Sequence, residues 1–290
     1  MTRPIFLISW HFQYQAIVNV LSKRKDILMK QLKSSIEDLR EIFEKGIKAR
    51  HITEPFCSFD ESAIAQDVKK FLNTKNFDVV GVRTNGIING YACRRDLTEG
   101  KLNKYSKEFD SRELLLDTTS ISEVFKVIID FNHVFILSFG RVAGIITRGD
   151  FQKVPIRMWL FSLISLIEMQ MLRIIRERFP ENSWDESISP ERNKKVKKFF
   201  VDNESKNEEI DLVDCLQFCD KYTIISETED LLEKLQYGKK DFCTLLKNLR
   251  KLRDNLAHAQ DIITANWPSI IELSKEAEEF LKRCETIKLE

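Results

Sequence analysis

Gly90-Tyr91-Ala92-Cys93-Arg94-Arg95-Asp96 and Gly144-Ile145-Ile146-Thr147-Arg148-Gly149-Asp150 close two stretches that carry the same succession of patterns. In the first, a helical pattern over residues 61–72 precedes a β-branched run at 77–82, a turn at Thr84-Asn85-Gly86 and a second run at 87–93. In the second, a helical pattern over 120–131 precedes a run at 134–137, a turn at Phe139-Gly140 and a run at 142–147. A repeated supersecondary unit constrains a fold strongly, because neither copy can bury its apolar face alone. Two helix-strand-strand units therefore predict a pseudo-symmetric pair packed sheet to sheet. The Asn-Gly turn and β-branched runs mark the hairpins, and Asp60 is placed to N-cap the first helix.

The flanks read as helix. Over residues 19–50 a Lys/Glu-rich stretch has apolar residues at Ile27, Leu28, Leu32, Ile36, Leu39, Ile42, Phe43 and Ile47, the spacing of an amphipathic helix. Pro55 ends it. After the repeats, residues 156–179 form a long apolar helix, broken at Pro180-Glu181-Asn182-Ser183. A polar stretch follows to about residue 205, with a basic cluster at Arg192, Lys194, Lys195, Lys197 and Lys198. Such a cluster is either a solvated face or a track for RNA. Helical patterns then cover 208–224, 228–236, 239–259 and 268–281, with Leu245, Leu249, Leu252 and Leu256 as the clearest stripe. No Gly/Ser-rich linker separates the second repeat from this bundle, which predicts mechanical coupling between them. The expected fold is α+β followed by an all-α helical bundle, divided into 1–50, 51–154 and 155–290.

Lys+Arg and Asp+Glu nearly balance, at 46 against 45, so any affinity for nucleic acid must come from local patches. The six cysteines include no C-x-x-C pair, and no histidine lies near Cys215 and Cys219. Reduced thiols in a cytoplasmic protein, with no metal site, are the expectation. The short apolar segment from Pro4 to Trp10 reads as packed chain and not as a signal peptide. The apolar run at 159–167 is interrupted by Glu168, Arg173 and Arg176 and reads as too short to span a membrane.

On its two signature strands, the region 52–154 resembles a tandem cystathionine-β-synthase (CBS) domain pair, the Bateman module. The resemblance implies that Thr147 and Asp150 contact the ribose and phosphate of a regulatory adenine nucleotide (AMP, ADP or ATP). It also implies that the adenine lies in a cleft between the repeats. A carboxylate can accept from two ribose hydroxyls, and a threonine at a strand end can donate to phosphate. The first copy retains Asp96 but has Cys93 where the family prefers Thr or Ser, leaving Arg94 and Arg95 to attract phosphate. The alternative role for Asp150 is to cap the helix after it.

The later helices resemble the HEPN superfamily of RNA-binding and RNA-cleaving domains. The resemblance rests on Arg253-Asp254-Asn255-Leu256-Ala257-His258 late in the bundle and on Glu168 in its first helix. It implies a homodimer whose two motifs face one cleft. There Arg253 binds the scissile phosphate, His258 moves protons for attack by the RNA 2′-hydroxyl, and Asp254 orients groups around it. That chemistry requires no cofactor and no metal. The alternative is a non-catalytic sensing, dimerisation or interaction module in which Arg253 and His258 are structural. A histidine near a helix C-terminus is favoured by the macrodipole whatever its chemistry.

Overall fold

A computed structural model describes residues 36–204, 210–257 and 267–289. The expected helix over 19–50 lies largely outside them. Its described part is a short helix α1 (Ile36–Arg40), with helical backbone ending at Lys45. Residues 47–50 are not part of a long helix. Lys48 bridges Ser120, and Ala49 is fully buried with its amide donating to Thr119 O.

The repeat unit gains an element that the sequence pattern did not reveal. Each copy begins with a short strand, so the unit is strand-helix-strand-strand. The first copy runs β2 (Ser58–Asp60), α2 (Ala65–Lys75), β3 (Val79–Thr84) and β4 (Ile87–Cys93), after the two-residue strand β1 (Glu54–Pro55). The second runs β5 (Leu114–Leu116), α3 (Ile121–Ile128), β6 (His133–Ser138) and β7 (Arg141–Thr147). In both, the first strand pairs in parallel with the second, which pairs antiparallel with the third. Asp60 is consequently not a helix cap. It ends β2 and pairs with Arg83 at 3.1 Å, and the helix begins at Ala65 after Ile64. Ser120 does cap α3, in a reciprocal capping box with Glu123, an arrangement that typically contributes about 1 kcal/mol.

The hairpin turns obey backbone chemistry. Asn85 and Gly86 adopt φ of 52° and 79°, and Phe139 and Gly140 take 49° and 74°, the left-handed pair a two-residue hairpin needs. Gly90 and Gly144 answer a different demand. A Cβ at Gly90 would lie 2.5 Å from Lys107 O, and one at Gly144 would lie 2.0 Å from Thr53 Cγ2. At each position the segment leading into the other repeat crosses the strand, β1 on β7 and residue 107 on Tyr91. The two copies are thus laced together by exchanged leading segments.

The two sheets, in orders β2-β3-β4 and β1-β7-β6-β5, meet through an aromatic layer of Phe56, Tyr91, Phe109, His133 and Phe135. The first copy keeps a separate core beneath its own helix, built on Val68, Leu72, Val80, Val82 and Leu97.

The bundle begins without a break. A 3-10 turn at Arg148–Gln152 runs into α4 (Val154–Arg178), whose N-cap is Lys153. Phe125 of α3 stacks edge-on with Phe151 at 4.5 Å and packs on Trp159 at 4.7 Å, fastening α4 to the second repeat. By length and composition α4 could cross a membrane, contrary to the expectation that the apolar run is too short. Its apolar face is instead covered by other helices, with Trp159, Leu160, Ile164, Ile167 and Met171 buried. It is a core helix by packing.

Beyond α4 lie α5 (Pro190–Glu204), α6 (Phe218–Ser226), α7 (Glu229–Leu235), α8 (Lys239–Ala257) and α9 (Trp267–Thr286). Two expectations need correction. The basic stretch is helical, anchored by buried Val196, while the expected helix over 208–224 starts at Phe218, after a 3-10 turn at Leu212–Cys215. The leucine stripe of α8 is buried at all four positions, and its helix is described as far as Ala257. His258 lies outside the described residues.

Candidate functional site

A cleft of about 1060 Å³ opens between the repeats. From the second repeat it is lined by His133, Thr147, Arg148, Gly149 and Asp150, and from the first by Lys69, Asp78, Cys93, Arg94 and Arg95. Arg94 and Arg95, expected at a pocket of the first copy, therefore face the cleft of the second. Arg94 is held at 2.6 Å by Asp78.

The signature residues form a closed hydrogen-bond set. Asp150 Oδ2 accepts from the Thr147 amide at 2.7 Å and from Thr147 Oγ1 at 2.9 Å. Asp150 Oδ1 is 2.9 Å from Lys153 Nζ. Lys153 also donates to Ile52 O at 2.6 Å and to Glu54 Oε1. Asp150 does not cap the helix after it, whose N-cap is Lys153; it lies inside the turn Arg148–Gln152 and closes that turn's capping box with Thr147, at the wall of a cleft. It is only 8% exposed, and an unpaired carboxylate there would be costly. Burial works against the charge on Lys153, but its hydrogen bonds to Glu54 and Asp150 win and raise its pKa.

Asp96 does not join this set. Its carboxylate pairs with Lys107 at 2.6 Å, and that hydrogen bond keeps it ionised below the usual carboxylate range. It is absent from the lining of the cleft. The sequence pattern gave no sign of His133, which pairs across the hairpin with Thr147. Its Nε2 is buried without a partner, and burial lowers its pKa, more than nearby Asp78 raises it.

A second cleft, of about 660 Å³, lies in the bundle, lined by Glu168 of α4, Arg192, Lys195 and Phe199 of α5, Phe218 of α6 and Arg250 and Arg253 of α8. Three of the four residues singled out by the HEPN resemblance come together in one cluster. Arg253 Nη1 is 3.8 Å from Glu168 Oε2, and Arg253 Nη2 is 3.2 Å from Asp254 Oδ1. The Arg253 guanidinium also lies over the Phe218 ring, 5.2 Å from its centre. Glu168 is shared with the buried Lys221, at 2.7 Å, so its carboxylate is held from two sides.

One side chain of α4 reaches across to α8. Arg157, one helical turn beyond Lys153, donates to Leu256 O at 2.6 Å and approaches Asn255 O at 3.5 Å. Those carbonyls lie at the C-terminal end of the described part of α8, so Arg157 ties α4 to that end. Sequence reading did not single out Lys153, although it lies one turn after Asp150. Arg157 and Leu256 are far apart in sequence, and no local pattern links them. Among the described residues, no group of three or more His, Cys, Asp or Glu side chains is arranged to hold a metal ion.

Residues 114–156 match the family model of the CBS domain. Among solved structures, the chain is similar to CBSX2 in complex with AMP, at 18% identity and a TM-score of 0.32, over 36% of this chain and 92% of that one. It is similar to the CBS domains of a transcriptional regulator from Streptococcus pneumoniae, at 17% identity and a TM-score of 0.33, over 36% and 95%. It is also similar to the CBS domain of a bacterial CNNM/CorC family Mg2+ transporter in complex with ATP, at 14% identity and a TM-score of 0.33, over 43% and 94%. No curated protein matches the chain.

Proposed function

We propose that the cleft between the repeats binds an adenine nucleotide and that binding is transmitted to the end of α8. The observation that carries this reading is the short path between the clefts. Asp150 holds Lys153, Lys153 is the N-cap residue of α4, and Arg157 on the next turn holds the carbonyls of Asn255 and Leu256, close in sequence to Arg253. A ribose hydroxyl that donates to Asp150 competes with Lys153 for the same carboxylate. Arg94, Arg148 and Lys69 supply positive charge for phosphates at the same wall. A ligand that binds one arrangement of Lys153 more tightly than the other shifts the population of both, by its differential affinity alone. Calorimetry with AMP, ADP and ATP tests the binding step. Wild-type protein binds at least one, and Asp150→Ala loses at least about tenfold in affinity, the scale of one buried charge-assisted hydrogen bond. Wild-type protein that binds none of them would falsify the reading.

A second reading concerns the output. In it the bundle is a HEPN-like, metal-independent endoribonuclease that works as a homodimer. Arg253, positioned by Glu168 and Asp254, clamps the scissile phosphate, Asp254 orients groups around His258, and His258 moves the proton of the attacking 2′-hydroxyl. Its support is the cluster of Arg253 with Glu168 and Asp254 at the edge of a cationic cleft. Labelled RNA incubated with the protein in chelator is cleaved, and His258→Ala removes at least about a hundredfold of that rate, the usual worth of a general acid–base group. Equal cleavage by both proteins, or none by either, leaves the bundle as a non-catalytic interaction module.

A further inference from the structure

We infer that the groove between α5 and α8 is a binding surface for an unpaired RNA strand, with Phe199 as the platform on which a base stacks. This rests on the RNA reading of the Arg253 cleft and adds residues and a substrate form to it. Arg192, Lys195 and Phe199 occur at i, i+3 and i+7 of α5, so they share one helical face. Across the groove, Arg250 and Arg253 are three residues apart on α8. All five line the same cleft.

Their partners decide what each can contribute. Arg192 is held by Asp220 through Nε at 2.6 Å and Nη2 at 2.7 Å, which fixes the guanidinium and leaves Nη1 out of that bidentate pair. Lys195 is exposed and has no ion-pair partner among the described residues. Among the described residues, Arg250 reaches one carboxylate, Asp254, at 4.0 Å. Lining cations therefore outnumber the lining carboxylates, Glu168 and Asp214, in a protein that is otherwise electrically balanced.

Phe199 is 55% exposed, although its helix has buried Val196 to pack with. An exposed ring flanked by free and fixed cations is the arrangement that binds a single strand, through stacking on the ring and contacts to the phosphates. A duplex offers no free base face, and a flat protein partner would not need the ring.

The test is fluorescence anisotropy of the full-length chain with a short labelled single-stranded RNA in chelator, across a salt series. His258→Ala serves as the parent so that binding is read without cleavage. It is expected to bind the single strand at least about tenfold more tightly than the same sequence annealed to its complement. Phe199→Leu is expected to weaken binding about tenfold, while Phe199→Trp holds the parent affinity. Lys195→Gln is expected to lower the salt slope by about one unit. Binding that is indifferent to Phe199→Leu and Lys195→Gln, or a preference for duplex, overturns the proposal. Single-strand binding without cleavage by the wild-type chain would overturn only the nuclease reading.

Discussion

The two repeats end in the same sequence pattern and do different work with it. At the end of β7, Thr147 and Asp150 close a capping box, and the carboxylate is buried against Lys153. At the end of β4, Cys93 offers no hydroxyl, and Asp96 pairs with Lys107 nearer the surface. The element after each pattern accounts for the difference. After Asp150 the chain runs through the turn into α4, and the carboxylate, buried, pairs with Lys153 at the start of that helix. After Asp96 it runs into loop and a short 3-10 turn, and the aspartate stays partly exposed. A signature strand becomes a coupled site only where the next element gives its aspartate something to hold.

The largest effect that sharpens this contrast is in packing. Phe151→Ala is expected to cost about 3–5 kcal/mol in urea unfolding, because Phe151 is fully buried against Phe125. Leu97, its counterpart in the first repeat, is equally buried but sits in that repeat's own core. Leu97→Ala is expected to cost about 2–5 kcal/mol, with protection of α4 amides nearer wild type than in Phe151→Ala. Equal loss of α4 protection in both variants would break the contrast.

The aspartates come next. Asp150→Ala leaves Lys153 and the Thr147 amide short of a partner and is expected to cost about 1–3 kcal/mol. Asp96→Ala removes a surface pair and should stay within about 0.5 kcal/mol. A thermal melt of each variant reads the difference.

Lys153 gives a smaller, pH-dependent effect. Its folded pKa is raised, so its contribution is fully present below the unfolded lysine value near about 10.4. That contribution is lost as pH rises through the folded value. Melts across the alkaline range should therefore fall more steeply for wild type than for Lys153→Met.

His133 provides the smallest effect. Its folded pKa is lowered by burial, so stability is complete above the unfolded histidine value near about 6.5 and declines as pH falls toward the folded value. Val79 occupies the equivalent place in the first repeat, opposite Cys93. His133→Gln should flatten that mildly acidic slope. An unchanged slope would place the responsible titration elsewhere.

Much of the repeat was legible because its signals are local. Asn85-Gly86 and Phe139-Gly140 sit between β-branched runs, and Ser120 to Glu123 spells a capping box. The opening strands β2 and β5 were not legible. Three residues are too few to show alternation, and Asp60 mimicked a cap while ending a strand. The helix α5 was hidden by its own charge, since Val196 is its one clearly buried apolar residue among lysines. The cleft of Arg253 was legible as the motif on α8, Glu168 on α4 and a basic cluster, but not as one assembled site. Its cationic wall comes from that same α5, and its link to the other cleft comes from Arg157, for which sequence spacing offers no cue.

The central claim is that the wall of the first cleft and the end of α8 move together. Hydrogen exchange of the last turn of α8, with and without saturating AMP, reads this directly in wild type and in Arg157→Met. AMP should change exchange at residues 252–257 in wild type, and Arg157→Met should abolish that change while keeping AMP affinity within about twofold. If wild-type protein binds AMP and exchange at the end of α8 stays the same, the two clefts are independent and the account of a coupled sensor is wrong.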